Sequence, residues 1–356
     1  MAKKNKKVVC AMSGGVDSSV SAALLKKAGF GVTGVFMKCW SEDEVKTGVC
    51  TAEEDERYAR MAAAKIGIPF YSVDLVKEYK QKVVDYFTSG YAAGRTPNPD
   101  VMCNREIKFG VFYEWAIEEF GADCIATGHY ARLSGLRLLK GKDPDKDQSY
   151  FLWAVGREKL KNVLFPIGDY KKSEVRKLAR KFGLPNADRK DSQGICFIGK
   201  VNVGNFLHEY IEDKPGAIVN AKGEKVGEHA GLHFYTLGQR RGISIGGGPP
   251  YFVARKDYTA NNLVVAREYD EELFEDNLTA SSINWISEKP KLPFSCAAKI
   301  RYRQPDQGAI IRNDSSTGGK NGNLSVEFKK PQRAVTSGQS IVFYKKDKLI
   351  GGGIIN

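Results

Sequence analysis

The residues Ala11–Ser19, with the sequence AMSGGVDSS, separate a β-branched run from a helical pattern. The two glycines let the backbone approach a ligand and expose its N–H groups. The helix that follows adds positive potential at its N-terminus, which favours an anion there. The hydroxyls of Ser13 and Ser18 can donate to phosphate oxygens and also cap the helix. We therefore predict a phosphate-binding loop on a strand–turn–helix unit, formed by Ala11, Met12, Ser13, Gly14, Gly15, Val16, Asp17 and Ser18.

Asp17 is unfavourable beside a phosphate unless a cation lies between them, so we predict that it organises Mg²⁺. The lysine of the P-loop is missing, and so is the glycine spacing of the dinucleotide fingerprint. The alternative is an ordinary glycine turn with serine caps and no ligand. The density of glycine, serine and aspartate favours the anion site.

Around this loop, short β-branched runs alternate with longer helical periods, which is typical of βαβ units. This pattern predicts an α/β fold with a doubly wound parallel sheet. The predicted strands are Lys7–Met12, Gly31–Met37, Phe70–Leu75 and Asp123–Thr127. The predicted helices are Ser18–Ala28, Ala52–Ile66, Val76–Tyr91, Glu106–Phe120 and Lys172–Phe182.

After about Tyr210 the pattern changes to short β runs separated by glycines, with no long helical period. We predict two small β-rich domains here, the last of them a β-barrel. The predicted boundaries are 1–205 for the α/β domain, 206–265 for a central linker domain and 266–356 for the barrel. The predicted β runs are Gly216–Val219, His233–Leu237, Tyr251–Ala254, Leu263–Ala266, Cys296–Arg303, Leu324–Phe328 and Ser340–Tyr344.

The chain has 356 residues, and 55 Lys and Arg against 42 Asp and Glu give a formal net charge of +13. This excess favours a polyanionic partner, although basic proteins without one are common. No window approaches the roughly 18 apolar residues of a membrane helix, so we expect a cytoplasmic protein without a membrane partner. The seven cysteines contain no C-x-x-C pair, which argues against a disulfide framework or a zinc ribbon.

A second segment that can carry chemistry is Thr96–Phe109, TPNPDVMCNREIKF. It places Cys103 at the expected start of a helix, with Arg105 and Lys108 close by, and both features favour the thiolate. Two prolines would fix Asp100 three residues before the sulfur, within reach for proton transfer. The alternative is that the cysteine is a buried small hydrophobe, as most cysteines are.

Cys196 lies in the sequence GICFIG, after a polar stretch predicted to be a loop that could close over a site. No charged residue adjoins it, so core packing is an equal alternative at this point. Core packing is also favoured for Cys10, Cys124 and Cys296, which fall in predicted strands.

The loop at Ala11–Ser19 resembles the pyrophosphate-binding loop of the N-type ATP pyrophosphatases, the PP-loop superfamily, which adenylate a substrate oxygen. Further segments follow in one order across nearly the whole chain and together resemble the tRNA-specific 2-thiouridylases. These segments are NPDVMCN at Asn98–Asn104, GHYA at Gly128–Ala131, DQSYFL at Asp147–Leu152, GICF at Gly194–Phe197, RYR at Arg301–Arg303 and GQ at Gly338–Gln339.

The resemblance implies an enzyme that adenylates the 2-carbonyl oxygen of the wobble uridine in tRNA, after which a persulfide delivers sulfur and AMP leaves. Cys196 would carry the persulfide, Cys103 would be its partner cysteine in a transient disulfide, and Asp100 would be the acid/base. The implied substrates are ATP with Mg²⁺, a tRNA, and a persulfide donor such as a cysteine desulfurase or sulfur-relay protein. No tightly bound metal or organic cofactor is expected.

The resemblance also implies which residues surround the nucleotide and the RNA. Met37 and Gly128 would border the adenine, since ligands of doubly wound sheets collect at strand ends, although neither residue needs a ligand there. Asn98, Pro99 and Asp100 would line the pocket for a flipped base. The other implied tRNA contacts are His129, Lys146, Asp147, Gln148, Arg301, Tyr302 and Gln339.

Two other functions remain open from the residues alone. A PP-loop synthetase that adenylates a small molecule would need neither cysteine. A non-catalytic RNA-binding module would not need the intact phosphate loop, and the loop therefore disfavours it.

Overall fold

A computed structural model describes residues 6–40, 51–191, 203–243, 245–246, 248–314 and 322–356. In its first part, the strands are β1 Lys7–Ala11, β2 Gly31–Lys38, β3 Phe70–Asp74, β4 Cys124–Ala126, β5 Ala131–Ser134, β6 Arg137–Lys140 and β7 Val163–Leu164. Five of them form a parallel sheet in the order β3-β2-β1-β4-β7. The predicted parallel sheet is confirmed, and each of its four predicted strands is present.

Helices cover both faces of this sheet, and alternate residues of the β1 strand accordingly pack into two different cores. Val9 and Ala11 pack into one core, and Val8 and Cys10 into the other. The α-helices are α1 Val16–Lys27, α2 Ala52–Ile66, α3 Val76–Tyr79, α4 Asp85–Ala92, α5 Pro99–Met102, α6 Phe112–Phe120, α7 Lys172–Lys181 and α8 Val203–His208. None of the described helices is long and apolar enough to span a membrane.

Two predicted helices are interrupted by π-helical turns, at Lys80–Val84 and at Cys103–Val111. The second helical stretch begins at Pro99 rather than at Glu106, because Asn98 accepts a hydrogen bond from the Val101 N–H at 3.3 Å and proline suits the first helical position. Cys103 therefore lies in the second turn, and the prediction that it stands at the helix start is wrong.

A four-stranded sheet follows in the order β10-β11-β8-β9. Its strands are β8 Gly216–Asn220, β9 Lys225–His229, β10 Phe252–Asp257 and β11 Asn262–Ala266. The predicted β run at His233–Leu237 is wrong, because Leu232–Phe234 is a 3-10 turn whose Phe234 ring packs against His208 and His233 at 3.9 and 4.0 Å.

The last part is a closed six-stranded barrel, as predicted, because the β12 strand pairs with both β15 and β17. Its strands are β12 Phe274–Trp285, β13 Phe294–Lys299, β14 Gln307–Asn313, β15 Leu324–Arg333, β16 Ser340–Lys345 and β17 Lys348–Ile355. The β5–β6 hairpin of the first part joins this sheet through Leu139 and Lys348, a contact that was not predicted. The domain boundaries given above stay predictions.

Candidate active site

A cleft of about 740 Å³ opens at the carboxyl ends of the β1, β2 and β4 strands. It brings together many residues that the sequence analysis placed at the site. Those that line it are Ala11, Ser13, Gly15, Val16, Asp17, Ser18, Met37, Asp100, Gly128, His129, Lys146, Gln148 and Tyr302. Predicted site residues outside this lining are Met12, Gly14, Asn98, Pro99, Cys103, Asp147, Arg301 and Gln339. Cys196 lies outside the described residues.

Two glycines of the cleft region are required by close backbone packing. Gly14 has a φ of +76°, and a Cβ there would lie 2.2 Å from the carbonyl oxygen of Asp55 on the α2 helix. Gly128 follows the β4 strand, and a Cβ there would lie 2.7 Å from the backbone nitrogen of Ser18. The phosphate loop is therefore packed against the sheet and against the α2 helix without room for side chains at these positions.

The serines of the loop hold its backbone and do not cap the α1 helix. The Ser18 hydroxyl accepts a hydrogen bond from the Ser13 N–H at 3.1 Å and donates to the Gly15 carbonyl at 3.1 Å. Gly15 occupies the N-cap position without a side-chain cap. The predicted serine cap is thus wrong, and the uncapped helix start is free to receive an anion.

Asn186 and Arg189 brace the loop from the far side, and sequence reasoning missed both. The buried Asn186 amide donates to the Gly14 carbonyl at 2.8 Å and to the Ser19 hydroxyl at 2.9 Å. The Arg189 guanidinium donates to the same Gly14 carbonyl at 3.4 Å and pairs with the Asp55 carboxylate of the α2 helix at 2.6 Å. The loop is therefore fixed before any ligand arrives, which is the preorganisation that anion binding needs.

Asp17 is held by a lysine that the sequence analysis did not single out. The Lys172 ammonium donates to both Asp17 carboxylate oxygens at 2.8 Å and pairs with Asp191 at 2.8 Å, and its side chain is 14% exposed. The Tyr130 hydroxyl also donates to Asp17 at 2.8 Å, and burial followed by the Asp17 charge raises the pKa of Tyr130. Burial raises the pKa of Asp191, but hydrogen bonds from Lys146 and Lys172 outweigh it and bring the value to about 2.

Asp100 and Cys103 lie on one face of the helical stretch that begins at Pro99, since they are three residues apart. Asp100 lines the cleft, and burial raises the pKa of its carboxyl, an effect that Lys108 partly offsets. Cys103 packs in the core beneath and is 3% exposed. Arg105 pairs with the Glu106 carboxylate at 2.6 Å.

His129 is a neutral, buried group at the edge of the cleft. Its Nδ1 lies 2.7 Å from the Thr127 hydroxyl, and its ring packs against Phe109 and Phe165 at about 6 Å. Burial, followed by the charge of Lys108, holds the pKa of His129 well below its usual range. The side chain can therefore offer packing and a neutral hydrogen bond, but no charge near neutral pH.

The segment before the α5 helix is held by the barrel. The Gln339 amide donates to the carbonyls of Thr96 and Pro97 at 2.8 and 3.4 Å, and the Thr96 N–H donates to the Ser337 carbonyl at 2.8 Å. These contacts span more than 240 positions in sequence. They fix the backbone that leads directly into Asn98, the residue that caps the helix carrying Asp100.

Several predicted RNA contacts already have partners within the chain. The buried Asp147 carboxylate accepts hydrogen bonds from the Ser149 N–H and hydroxyl at 3.1 and 3.0 Å. The Arg301 guanidinium donates to a backbone carbonyl at 2.6 Å. The Tyr302 ring packs against Phe151 at 4.5 Å and lines the cleft. Tyr302 therefore lies at the cleft, while its contact with tRNA stays a prediction.

Three family models together match nearly the whole chain. Family models of a tRNA methyl transferase HUP domain, a tRNA methyl transferase PRC-barrel domain and an aminomethyltransferase β-barrel domain match residues 6–200, 204–267 and 275–355. A solved 4-thiouridine synthetase in complex with RNA and ATP has a TM-score of 0.36 and 20% identity, over 54% of this chain and 44% of that chain.

Curated relatives are similar over nearly the full length. A Geobacillus thermodenitrificans protein named tRNA-specific 2-thiouridylase MnmA is 48% identical, over 98% of this chain and 94% of that protein. A protein of the same name from Streptococcus sanguinis is 47% identical, over 98% of this chain and 95% of that protein. Identity at this level over the full chain leaves one conclusion: the protein belongs to the tRNA-specific 2-thiouridylase family.

Proposed function

We propose that the protein catalyses the ATP-dependent 2-thiolation of the wobble uridine of tRNA. The main support for the proposal is that the predicted phosphate loop and Asp100 line one cleft. The α1 helix that follows the loop has no side-chain cap, and Cys103 lies one turn from Asp100 on the same helical stretch. The names of the full-length relatives support the choice of tRNA as substrate. The net charge of +13 fits a polyanionic partner.

The first step is adenylation of the base. The 2-carbonyl oxygen of the uracil attacks the α-phosphorus of ATP, the base loses its N3 proton, and pyrophosphate leaves. The loop and the start of the α1 helix would hold the phosphates. Asp100 has a raised pKa and lines the cleft, so it is suited to exchange protons with the base.

Mg²⁺ fits this arrangement as the counter-ion of ATP. Asp17 supplies the carboxylate oxygens that Mg²⁺ prefers, but Lys172 engages both of them, and the described residues contain no cluster of three or more ligating side chains. The ion would therefore be held by Asp17 together with the phosphates.

The second step transfers sulfur. The terminal sulfur of a Cys196 persulfide would attack C2, Cys103 would attack the sulfur that remains on Cys196, and AMP would leave with the former carbonyl oxygen. The S–S bond of the persulfide breaks, a Cys103–Cys196 disulfide forms, and an external dithiol must reduce it before the next turnover. Such a transient disulfide suits a reducing compartment, so we place the reaction in the cytoplasm.

A pair of cysteine variants tests the proposal. Wild-type protein, incubated with tRNA, ATP, Mg²⁺ and a persulfide donor, should form 2-thiouridine with AMP and pyrophosphate, as measured by nucleoside mass spectrometry. Cys103→Ser should abolish thiolation, while Cys296→Ser, a change in the barrel away from the cleft, should retain it. Undiminished thiolation by Cys103→Ser would sink the sulfur-transfer step. Absence of 2-thiouridine from the wild type would favour a small-molecule synthetase.

A further inference from the structure

An enzyme that acts on the 2-carbonyl must still distinguish uracil from cytosine, because both bases carry that group. The two bases differ at N3, which is an N–H donor in uracil and an acceptor in cytosine, and at position 4. Discrimination therefore requires a protein group that reads one of these two positions. This question arises from the proposed function and rests on it.

Asn104 is a buried polar side chain in the cleft whose hydrogen bonds are incomplete. It is 2% exposed and lines the cleft directly after Cys103. Its Nδ2 donates to the carbonyl of Phe151 at 3.1 Å, and its Oδ1 has no hydrogen-bond partner in the described part of the chain. Several buried side-chain atoms in the described residues lack a partner, but Asn104 is the one such residue that lines the cleft. A buried acceptor without a partner is unfavourable, so its position on the cleft suggests that a ligand satisfies it.

The amide orientation is fixed by its partner. A backbone carbonyl can only accept, so the nitrogen of Asn104 must face Phe151, and Oδ1 must occupy the other position. Asp100 lies four residues earlier in the same helical stretch, which places both side chains on one face, and both line the cleft. A base that contacts Asp100 is therefore within the same part of the cleft as Asn104.

We propose that Asn104 Oδ1 accepts the N3–H of the target uracil when the base binds, before Asp100 takes that proton during adenylation, and that it is the group that rejects cytosine. A uracil satisfies the orphan acceptor, whereas a cytosine brings the lone pair of N3 against it and leaves both unpaired. A site built to receive a donor discriminates strongly against an analogue that lacks it. Asn104 is thus a specificity-determining residue for the base.

The test is a ratio of affinities. Two anticodon stem-loops, identical except for uridine or cytidine at the wobble position, compete for the protein without ATP. Wild-type protein should bind the uridine RNA at least about tenfold more tightly. Asn104→Leu removes the acceptor at similar volume and should bring the ratio to within about twofold of one. Asn104→Asp keeps an acceptor oxygen and should retain the preference.

The ratio of the two RNA affinities separates base specificity from a general loss of binding, because loss of the hydrogen bond to Phe151 would weaken the binding of both RNAs alike. Asn284→Leu is a matched control, since its amide donates to the carbonyls of Trp153 and Val155 at 2.6 and 3.1 Å, and it should keep the wild-type ratio. A wild-type preference that survives in Asn104→Leu overturns the inference. Thiolation of the uridine RNA is measured in parallel: its absence with the affinity ratio intact refutes the proposed function and leaves base recognition standing.

Discussion

Replacing Gly14 by alanine should displace the phosphate loop and weaken ATP binding. The residue has a φ of +76°, where alanine is strained by about 1–2 kcal/mol. Its new Cβ would lie 2.2 Å from the Asp55 carbonyl oxygen, and real Cβ atoms do not approach closer than 3.0 Å, so the backbone must move by roughly 0.8 Å. Hydrogen bonds to charged phosphates contribute about 1.5–3 kcal/mol each, so losing one should raise the Kd for ATP at least about tenfold.

Gly67→Ala provides the matched control for this experiment. Its φ of +74° gives the same backbone strain, but nothing lies within 4 Å of a Cβ there, at the end of the α2 helix. Isothermal titration calorimetry should find near wild-type ATP affinity for Gly67→Ala and a loss for Gly14→Ala, while thermal unfolding should show both variants destabilised. Wild-type ATP affinity in Gly14→Ala would refute the assignment of the loop as the phosphate site.

Three further predictions follow from single contacts. Lys172→Met should lower the free energy of unfolding by about 2 kcal/mol in chemical denaturation, because it leaves Asp17 without its cation, whereas the exposed Lys177→Met on the same helix should change it by less than about 0.5 kcal/mol. Burial lowers the pKa of Lys256 from 10.5 in the unfolded chain to about 8 in the folded protein. Between pH 8 and pH 10.5 the unfolded chain therefore binds more protons than the folded protein, and the free energy of unfolding rises with pH over this range. Lys256→Met should therefore be more stable than the wild type at pH 7, with the gap closing above pH 10; a constant gap would contradict this. Gln339→Ala should lower the kcat of thiolation more than it raises the KM for tRNA, because the amide holds the backbone before the α5 helix, and a pure KM effect would point to a direct RNA contact instead.

The parallel sheet was predictable because each predicted strand is a short run rich in β-branched residues, and the helical patterns between the strands end near glycines. The β5–β6 hairpin was missed for a physical reason: its strands are only four residues long, and its outer partner is β17 of the barrel, more than 200 positions later. Pairing at such a distance leaves no periodic trace in the hairpin itself. The position of Cys103 could have been corrected from the Asn98–Pro99 pair, which matches the preference for asparagine at the N-cap and proline at the first helical position.

The turn between the β1 strand and the α1 helix was predictable from its glycines and serines, but the residues that support it were not. Asn186 and Arg189 lie in a polar stretch that has no pattern, and they reach the loop only through the fold. Lys172 did leave a signal, because a lysine in the first turn of a helix opposes the helix dipole and needs a compensating anion. Asp17 and Asp191 are those anions.

The central claim is that the oxygen replaced by sulfur leaves on AMP, and isotopic labelling of that oxygen tests it most directly. An anticodon stem-loop or tRNA with ¹⁸O at the 2-carbonyl of the wobble uridine would be incubated with the protein, ATP, Mg²⁺ and a persulfide donor. Mass spectrometry should find one ¹⁸O in AMP for each 2-thiouridine formed. Formation of 2-thiouridine with unlabelled AMP, and the label in water or pyrophosphate, would contradict the account.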